Sequence, residues 1–304
     1  MNRYFYLLLL ISGIISCKKE DPGSVNTNSF PGSLDSIYAY SDLMGDSANM
    51  NLVFVYRISY DDQRRVSRID YDYLSYNEFI YDGNSDLPKK MVDVRPDRLA
   101  ADPEIMSIDT FTYDYDSQKR MVKKNRKNYS KSYGITWPGF ENTYSYTYGS
   151  NYMLPQSEGI FCDSDTVLLN LNGDPIRKNK FCFESNPYQE KVDEYYSYKN
   201  PFSTLNISPI KDDLYGFNNI LWYPLDDVHY NLNEPKYLFK KISGYNFYYT
   251  NPMDRKKAIS FYPVVSTSGR VDEFTVANIT THTDFNGDIF YSKIYSKFKF
   301  FYHP

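Results

Sequence analysis

Histidine, cysteine and tryptophan are scarce in this chain of 304 residues, which holds three histidines, three cysteines and two tryptophans. So few imidazole and thiolate ligands leave little room for a metal site built from them. The net charge is also small, at −4. Proteins that bind nucleic acid usually carry a clear basic excess. We therefore predict no metal, no cofactor and no nucleic-acid partner.

Aromatic residues are abundant instead. The chain contains 33 tyrosines and 20 phenylalanines, and aromatics make up 18% of it. Both residue types favour the pleated, half-buried surface of a β-sheet. In Tyr144, Tyr146 and Tyr148 they recur at every second position, which places all three side chains on one face of a strand. Composition and spacing together predict an all-β protein.

The first 16 residues are typical of an export signal. Arg3 precedes an uncharged run over residues 4–15, which is too short to remain as a transmembrane helix. The run ends in Ile14, Ile15, Ser16 and Cys17, and this sequence resembles the lipobox of bacterial lipoproteins. We predict lipidation at Cys17, whose acyl chains would attach the protein to a membrane. The alternative is an ordinary cleaved signal in which Cys17 has no role.

The residues after Cys17 predict a cellular location and a flexible tether. Lys18, Lys19, Glu20 and Asp21 resemble the export tag of surface lipoproteins in Bacteroidetes. This predicts an outer-membrane protein at the cell surface, with a periplasm-facing position as the alternative. Residues 22–31 are polar and rich in Ser, Asn, Gly and Pro, as in flexible tethers. We predict a signal over 1–16, a lipidated cysteine and tether over 17–32, and a single β-rich domain over 33–304.

An internal repeat runs through that domain. Residues 56–66 align with 111–121, and residues 81–88 align with 148–155. Weaker copies lie at 169–177, 195–202, 265–271 and 285–289. Each unit is an alternating strand, a polar turn, a basic residue and another strand. Strands joined by short turns are antiparallel neighbours, so the units predict a long meander.

The meander should curl by its twist into an open roll or a partial barrel, and a compact β-sandwich is the alternative. Residues 201–235 interrupt the pattern with many Pro, Asn and Asp residues. For this segment we predict a short helix and loops that cover one open end of the roll.

The best units contain Tyr60-Asp61 with Arg65-Val66, Tyr115-Asp116 with Arg120-Met121, and Ser268-Gly269-Arg270-Val271. These resemble the YD (Rhs-type) repeat, whose pattern is Tyr-Asp-x-x-Gly-Arg-hydrophobic, with Gln63 and Gln118 in place of the turn glycine. The whole chain, including a loop at Asn200-Pro201-Phe202, resembles uncharacterised Bacteroidetes lipoproteins built from degenerate YD-like hairpins. The resemblance implies a β-fold and an envelope location but no reaction. The toxin-enclosing shell of long Rhs arrays is not implied.

Two further cysteines, Cys162 and Cys182, flank a hairpin pattern around Asn172 and Gly173. In an exported protein this pair predicts either a disulfide or two buried free thiols packed among phenylalanines.

Catalytic signals are weak. The three histidines, His229, His282 and His303, show no metal-binding spacing, although a Ser-His-Asp triad stays open because its members need not be close in sequence. Residues 284–288 alternate oxygen donors as in a calcium loop, but a hairpin turn explains them better. The acidic pairs at 212–213 and 226–227 fit solvated loops. We therefore predict a protein without enzymatic activity.

Loop aromatics are the candidates for ligand binding. Trp137, Trp222 and Tyr223 are suited to stacking on a sugar, and the alternative is that both tryptophans fill the core or an end of the roll. Residues 119–131 are strongly basic and suit an anionic surface or polymer, or else form a solvent-facing strand.

Three hypotheses follow, in decreasing order of support. The first is a lipid-anchored envelope protein that serves as a binding or structural module. The second is a surface lipoprotein that binds glycans, and the third is a hydrolase. The expected partners are the membrane, through the lipid anchor, and a glycan or an envelope protein.

Overall fold

In the described part of the computed structural model, sixteen antiparallel strands follow one another around a single sheet. The structure describes residues 31–42, 48–72, 74–96, 105–157, 166–171, 174–180, 188–205, 236–246, 255–283 and 286–304. The strands are β1 (Leu34–Asp42), β2 (Asn51–Tyr60), β3 (Val66–Asp72), β4 (Ser75–Tyr81), β5 (Pro88–Pro96), β6 (Met106–Tyr115), β7 (Met121–Ser132), β8 (Ile135–Tyr148), β9 (Tyr152–Ser157), β10 (Thr166–Leu169), β11 (Pro175–Lys180), β12 (Tyr188–Lys199), β13 (Tyr237–Asn246), β14 (Arg255–Val265), β15 (Val271–Thr283) and β16 (Ile289–Tyr302).

The sheet is a closed barrel, which corrects the expected open roll or partial barrel. The last strand, β16, pairs with the first, β1, from Leu34 opposite Tyr302 to Asp42 opposite Tyr295. Each strand therefore has a hydrogen-bonded neighbour on both sides, so the competing sandwich is excluded. Closure satisfies the edge groups of β1 and β16, which an open roll would leave unpaired.

The two ends of the barrel differ. One end, here named the turn end, carries the short turns at 61–65, 116–120 and 266–270, together with the first residue of β1. The opposite end, named the loop end, carries the β7–β8 connection at Tyr133 and Gly134. Chain entry into the barrel at Leu34 and the β7–β8 hairpin tip therefore lie at opposite ends.

An aspartate organises the first short turn. Asp61 Oδ1 accepts hydrogen bonds from the backbone N–H groups of Gln63 and Arg65, both at 2.9 Å. Its Oδ2 accepts a third bond from Arg65 Nε at 2.7 Å. One side chain thus satisfies two backbone donors and fixes the arginine that begins the next strand, as turn-forming Asp residues commonly do.

The repeat predicted from the sequence shares this geometry. Asp116 holds Gln118 and Arg120 through the same three bonds, and Ser266 accepts from the Arg270 N–H in the later copy. The left-handed residue of each turn is Arg64, Lys119 or Gly269, with φ of 62°, 61° and 81°. Gln63 and Gln118 were expected at the position of the turn glycine. The left-handed residue is instead the next one in the chain, Arg64 or Lys119, so that expectation was wrong by one position.

A tyrosine latch joins the strands of five hairpins at the turn end. In each of the five, the last residue of an even-numbered strand donates its hydroxyl to the carbonyl of the first residue of the preceding strand. The five latches are Tyr60 to Leu34, Tyr81 to Val66, Tyr115 to Pro88, Tyr148 to Met121 and Tyr302 to Val271, at 2.8–3.0 Å. In three of them the turn arginine stacks on the tyrosine ring: Arg65 on Tyr81, Arg120 on Tyr148 and Arg270 on Tyr302, at 4.0–4.4 Å.

The barrel interior is packed with aromatic and aliphatic side chains. Its largest fully buried members are Tyr56, Tyr113, Phe202, Phe239, Phe261, Phe274 and Phe298. The whole core cluster draws its buried residues from strands β1–β7 and β12–β16 and from a short 3₁₀ helix, Pro201–Leu205. Phe202 lies among Phe274, Phe298 and Phe300, with ring centroids 5.4–6.2 Å apart. This helix is the described part of the segment predicted at 201–235, whose residues 206–235 lie outside the described ranges.

The outer face of the barrel is charged. In β16, Lys297 and Lys299 alternate with the buried residues Ser296, Phe298 and Phe300, so both lysines point outward. Ion pairs join outward residues of neighbouring strands, among them Lys127 with Glu141, Lys240 with Glu194 and Lys299 with Glu273. Large apolar residues are exposed on this face as well, among them Tyr262 and Val264 on β14, whose alternation places them on the face opposite to the buried Phe261.

The latch predicts a stability effect at Tyr60. Replacement of Tyr60 by Phe should lower the free energy of unfolding by about 1 kcal/mol, because the Leu34 carbonyl loses a buried hydrogen bond. Tyr262→Phe is the matched control, since Tyr262 is 57% exposed on β14. The measurement is urea unfolding of both variants. Equal effects of the two substitutions would contradict a stabilising latch.

Candidate functional site: a polar row beneath an exposed tryptophan

A row of polar side chains crosses the barrel interior. Asn77, Asp93, Asp109 and Asn128 lie directly opposite one another on β4, β5, β6 and β7. Residues directly opposite in an antiparallel pair share a face. The residues two positions away toward the turn end, Phe79, Met91 and Phe111, belong to the core, so this face points inward. We name the four residues the polar row.

Two arginines bind the carboxylates of the polar row. Asp109 accepts bonds from Arg126 Nη2 at 2.9 Å and from Asn128 Nδ2 at 2.9 Å. Arg95 contacts both carboxylates, with Nη2 on Asp109 and Nε 3.1 Å from Asp93 Oδ2. Tyr71 donates its hydroxyl to Asp93 Oδ1 at 2.7 Å. Two carboxylates and two guanidinium groups balance in charge, as buried ion pairs require.

The pKa values of the two carboxylates shift in opposite directions. Burial raises the pKa of Asp93 to about 6, although the Arg95 charge and the Tyr71 hydrogen bond oppose the rise. Burial also acts to raise the pKa of Asp109, but hydrogen bonds from Arg126 and Asn128 and both guanidinium charges outweigh it, so this pKa is lowered. Asp93 is therefore the carboxyl of the pair that gains a proton first on acidification.

Asn77 is the unusual member of the polar row. Its side chain is fully buried, and neither its amide nitrogen nor its amide oxygen has a hydrogen-bond partner among the described residues. A buried polar group left without a partner costs about 1–3 kcal/mol. This orphaned amide stands directly opposite Asp93, inside the barrel.

Trp137 lies in the adjacent row toward the loop end. Arg95, Ser107, Ser130 and Trp137 are opposite one another on β5, β6, β7 and β8, which places Trp137 on the same face as Arg95. Its side chain is 58% exposed. The alternative in which Trp137 fills the core is therefore excluded.

A bulge in β8 sets the position of Trp137 at the loop end. Two residues, Gly139 and Phe140, occupy the span opposite Asn128, and the β7–β8 register shifts there. A Cβ on Gly139 would lie 2.5 Å from Asn128 Oδ1 and 3.0 Å from its backbone oxygen, so only glycine fits. Phe140 is 46% exposed and packs against the Arg126 guanidinium at 4.8 Å.

The basic run 119–131 divides between the two faces of the barrel wall. Lys123, Lys127 and Lys131 point outward and are exposed. Lys124 is buried and lies 4.6 Å from the Tyr144 ring, while Arg126 joins the polar row. The prediction of a solvent-facing strand was therefore wrong for Lys124 and Arg126, because β7 alternates like its neighbours.

Most of the other predicted site residues fall outside the described ranges. These are Cys17, Cys162, Cys182, Trp222, Tyr223 and His229, with the acidic pairs at 212–213 and 226–227. His282 lies on β15 opposite Phe290, and His303 Nε2 is 3.4 Å from Asp35 Oδ1 at the turn end. Of the loop 284–288, the described Gly287 has φ of 84°, as in a turn.

The polar row itself was not predicted from the sequence. A signal was present in Met91, Asp93 and Arg95, which alternate so that two charged residues share a face with a core residue. The described residues contain no group of three or more His, Cys, Asp or Glu side chains placed to hold a metal.

Comparison with known proteins identifies no family for this chain. Within the described residues, no helix is long and apolar enough to cross a membrane. No protein-family model matches the chain, and no curated protein matches it. Among solved structures, a porin-like protein from Bacteroides uniformis is similar at 11% identity with a TM-score of 0.29. The match covers 72% of this chain and all of that one.

Asp93 predicts a pH effect. Its pKa of about 6 in the folded chain exceeds the ordinary value of 3.8, so the folded state retains this proton longer than the unfolded state. The resulting stabilisation is complete below pH 3.8 and is lost as the pH rises through about 6. Relative to Asp93→Asn, the wild-type protein should therefore lose about 1–3 kcal/mol of stability between pH 4 and 7. Urea unfolding across this range tests it, and parallel stability curves would contradict it.

Proposed function

We propose that this protein is a non-enzymatic binding module of the cell envelope, attached to a membrane by lipid on Cys17, with its barrel in water. The observation that supports the proposal is the ion-paired charge on the outer face of the barrel. Membrane barrels present an apolar band to lipid, and each Lys or Arg at the middle of that band costs about 2–4 kcal/mol. Here ion pairs such as Lys127 with Glu141 and Lys240 with Glu194 lie on the outer face, beside exposed apolar residues such as Tyr262 and Val264, and the buried core lies inside.

The lipid anchor agrees with the way the chain enters the barrel. Residue 34 begins β1 at the turn end, so the proposed tether over 17–32 would connect that end to the membrane. A flexible segment of sixteen residues spans on average about 20–25 Å. The turn end then faces the membrane, and the loop end with Trp137 faces away from it.

The chemistry of the polar row gives no support to catalysis. Asp93 and Asp109 are each 1% exposed or less, and both are held by guanidinium groups. A general acid or base must reach the proton that it transfers, which these buried and paired carboxylates do not. The hydrolase hypothesis therefore has little support from the described residues.

Carbohydrate is the second candidate function, and the exposure of Trp137 favours it. A flat aromatic ring can stack on the C–H face of a sugar while planar polar groups bond its hydroxyls. Trp137 shares its row with Arg95, Ser107 and Ser130, which supply donors and acceptors. The ligand would lie at the loop end.

Membrane attachment is tested by Cys17→Ala in the full chain. The variant should move from the membrane fraction to the soluble fraction, because it loses the acyl chains that are proposed to hold the protein at the membrane. Cell fractionation with immunoblotting measures the distribution. Cys162→Ala is the control and should stay with the membranes. Retention of the Cys17 variant in the membrane would reject the lipid anchor.

Carbohydrate binding is tested with a glycan array and the purified full chain. Trp137→Ala should weaken binding of the glycan so identified by about tenfold, the expected loss for one stacked aromatic ring. Tyr262→Ala should bind normally, since Tyr262 is comparably exposed, at 57%, but lies on β14. An array without a positive signal, or equal affinity in both variants, would reject this candidate.

A further inference from the structure

The two carboxylates of the polar row differ in how many donors they contact. Those of Asp109 are Nε and Nη2 of Arg126 at 3.1 and 2.9 Å, Asn128 Nδ2 at 2.9 Å, and Arg95 Nη2. Asp93 contacts only the Tyr71 hydroxyl at 2.7 Å and Arg95 Nε at 3.1 Å. A carboxylate has about four acceptor positions, so Asp93 retains about two of them.

Asn77 brings unmet bonding capacity to the same row. An asparagine amide offers two N–H donors and an oxygen with two lone pairs. Neither Nδ2 nor Oδ1 of Asn77 has a hydrogen-bond partner among the described residues, and the side chain is fully buried. In the described part of the chain, Asn77 is the one residue with two such buried atoms. The amide therefore needs a partner that bulk solvent does not supply.

The neighbours of Asn77 restrict where this partner lies. On β3 the residue opposite Asn77 is Ile69, which is fully buried and apolar. Phe79, two positions along β4 toward the turn end, belongs to the core. On β5 the residue opposite Asn77 is Asp93, which has acceptor positions to spare. Residues directly opposite on one face have Cβ atoms about 4.5–5.5 Å apart. The partner is therefore best placed between Asn77 and Asp93.

Burial and charge restrict what the partner is. Asn77 and Asp93 are 0% and 1% exposed, so a large solute does not reach them. The two carboxylates of the row already balance two guanidinium groups, and an added ion would leave a net charge buried. The partner is therefore small and neutral, and it both donates and accepts hydrogen bonds.

We propose that one ordered water molecule is bound between Asn77 and Asp93. The water accepts a hydrogen bond from Asn77 Nδ2 and donates one to the Asp93 carboxylate. Buried waters typically make about three hydrogen bonds to polar groups that would otherwise be unsatisfied. The water joins Asn77 to the network around Asp93 and Arg95, which spans β4, β5 and β6. The inference is independent of the proposed function, because it concerns the interior of the barrel.

An asparagine suits this position because Asp93 changes its protonation near a pKa of about 6. When Asp93 is protonated, its O–H donates to the water, and the water donates to Asn77 Oδ1 after rotation of the amide. When Asp93 is ionised, the bonds run the other way, from Asn77 Nδ2 through the water to the carboxylate. The other groups that act on this carboxyl are Tyr71 on β3, Arg95 on β5, Asp109 on β6 and Arg126 on β7.

A crystal structure of the purified full chain, at a resolution that shows ordered waters, tests the site directly. The expected result is electron density for a water within about 3.2 Å of both the Asn77 amide and the Asp93 carboxyl. A direct bond from the Asn77 amide to a protein group, or a site without such density, would overturn the proposal.

Asn77→Leu gives an independent measurement in solution, because leucine is similar in size to asparagine and has no polar side-chain atom. If the Asn77 amide were simply unsatisfied, leucine would remove that cost, and the midpoint of urea unfolding would rise. With a bound water, leucine removes the hydrogen bonds on both sides of it, so the midpoint should fall.

Asn51→Leu is the matched control, since Asn51 is exposed at the start of β2 and reports the strand preference of leucine alone. The expected order of urea midpoints places Asn77→Leu below both Asn51→Leu and the wild-type chain. A midpoint for Asn77→Leu equal to or above that of Asn51→Leu would contradict the bound water.

Discussion

The fold depends on the hydrogen bond from a strand-end tyrosine to the carbonyl that begins the preceding strand. Five such latches lie at the turn end, from Tyr60 bonded to Leu34 through Tyr302 bonded to Val271. Each holds a hairpin in one register, because a slip of one residue would move the tyrosine to the opposite face. The latch on Tyr302 also acts on β16, the strand that closes the barrel against β1.

Closure determines where polar and apolar groups lie. Once the sheet has no edge, its inner face is shielded from water and can be filled with aromatic rings, while the outer face carries charge. The polar row is the exception to this division. Asp109 is satisfied by Arg126 and Asn128, yet Asn77 is buried without a described partner. The packing of the turn end must offset that cost.

Local features of this fold could be predicted from the sequence, and distant ones could not. The alternating strands and the turns at Asp61 and Asp116 follow from neighbouring residues, and the structure contains both. Closure joins residues such as Ser41 and Tyr295, which are 254 positions apart. The polar row requires the registers of four strands together. Each register depends on bulges, such as the one at Gly139, that no local pattern indicates.

The repeat constrains the two ends of the barrel unequally, and this explains where ligand-binding residues lie. A turn-end residue must serve the aspartate turn, the arginine stack or the tyrosine latch, so few positions there are free for another role. Among the described residues, the loop end contains no such unit, and β7 and β8 extend there to 12 and 14 residues. Their added length carries Trp137 and Phe140 beyond the packed interior without disturbing a latch. The end that the repeat leaves unconstrained is therefore the end at which exposed aromatic side chains can serve binding.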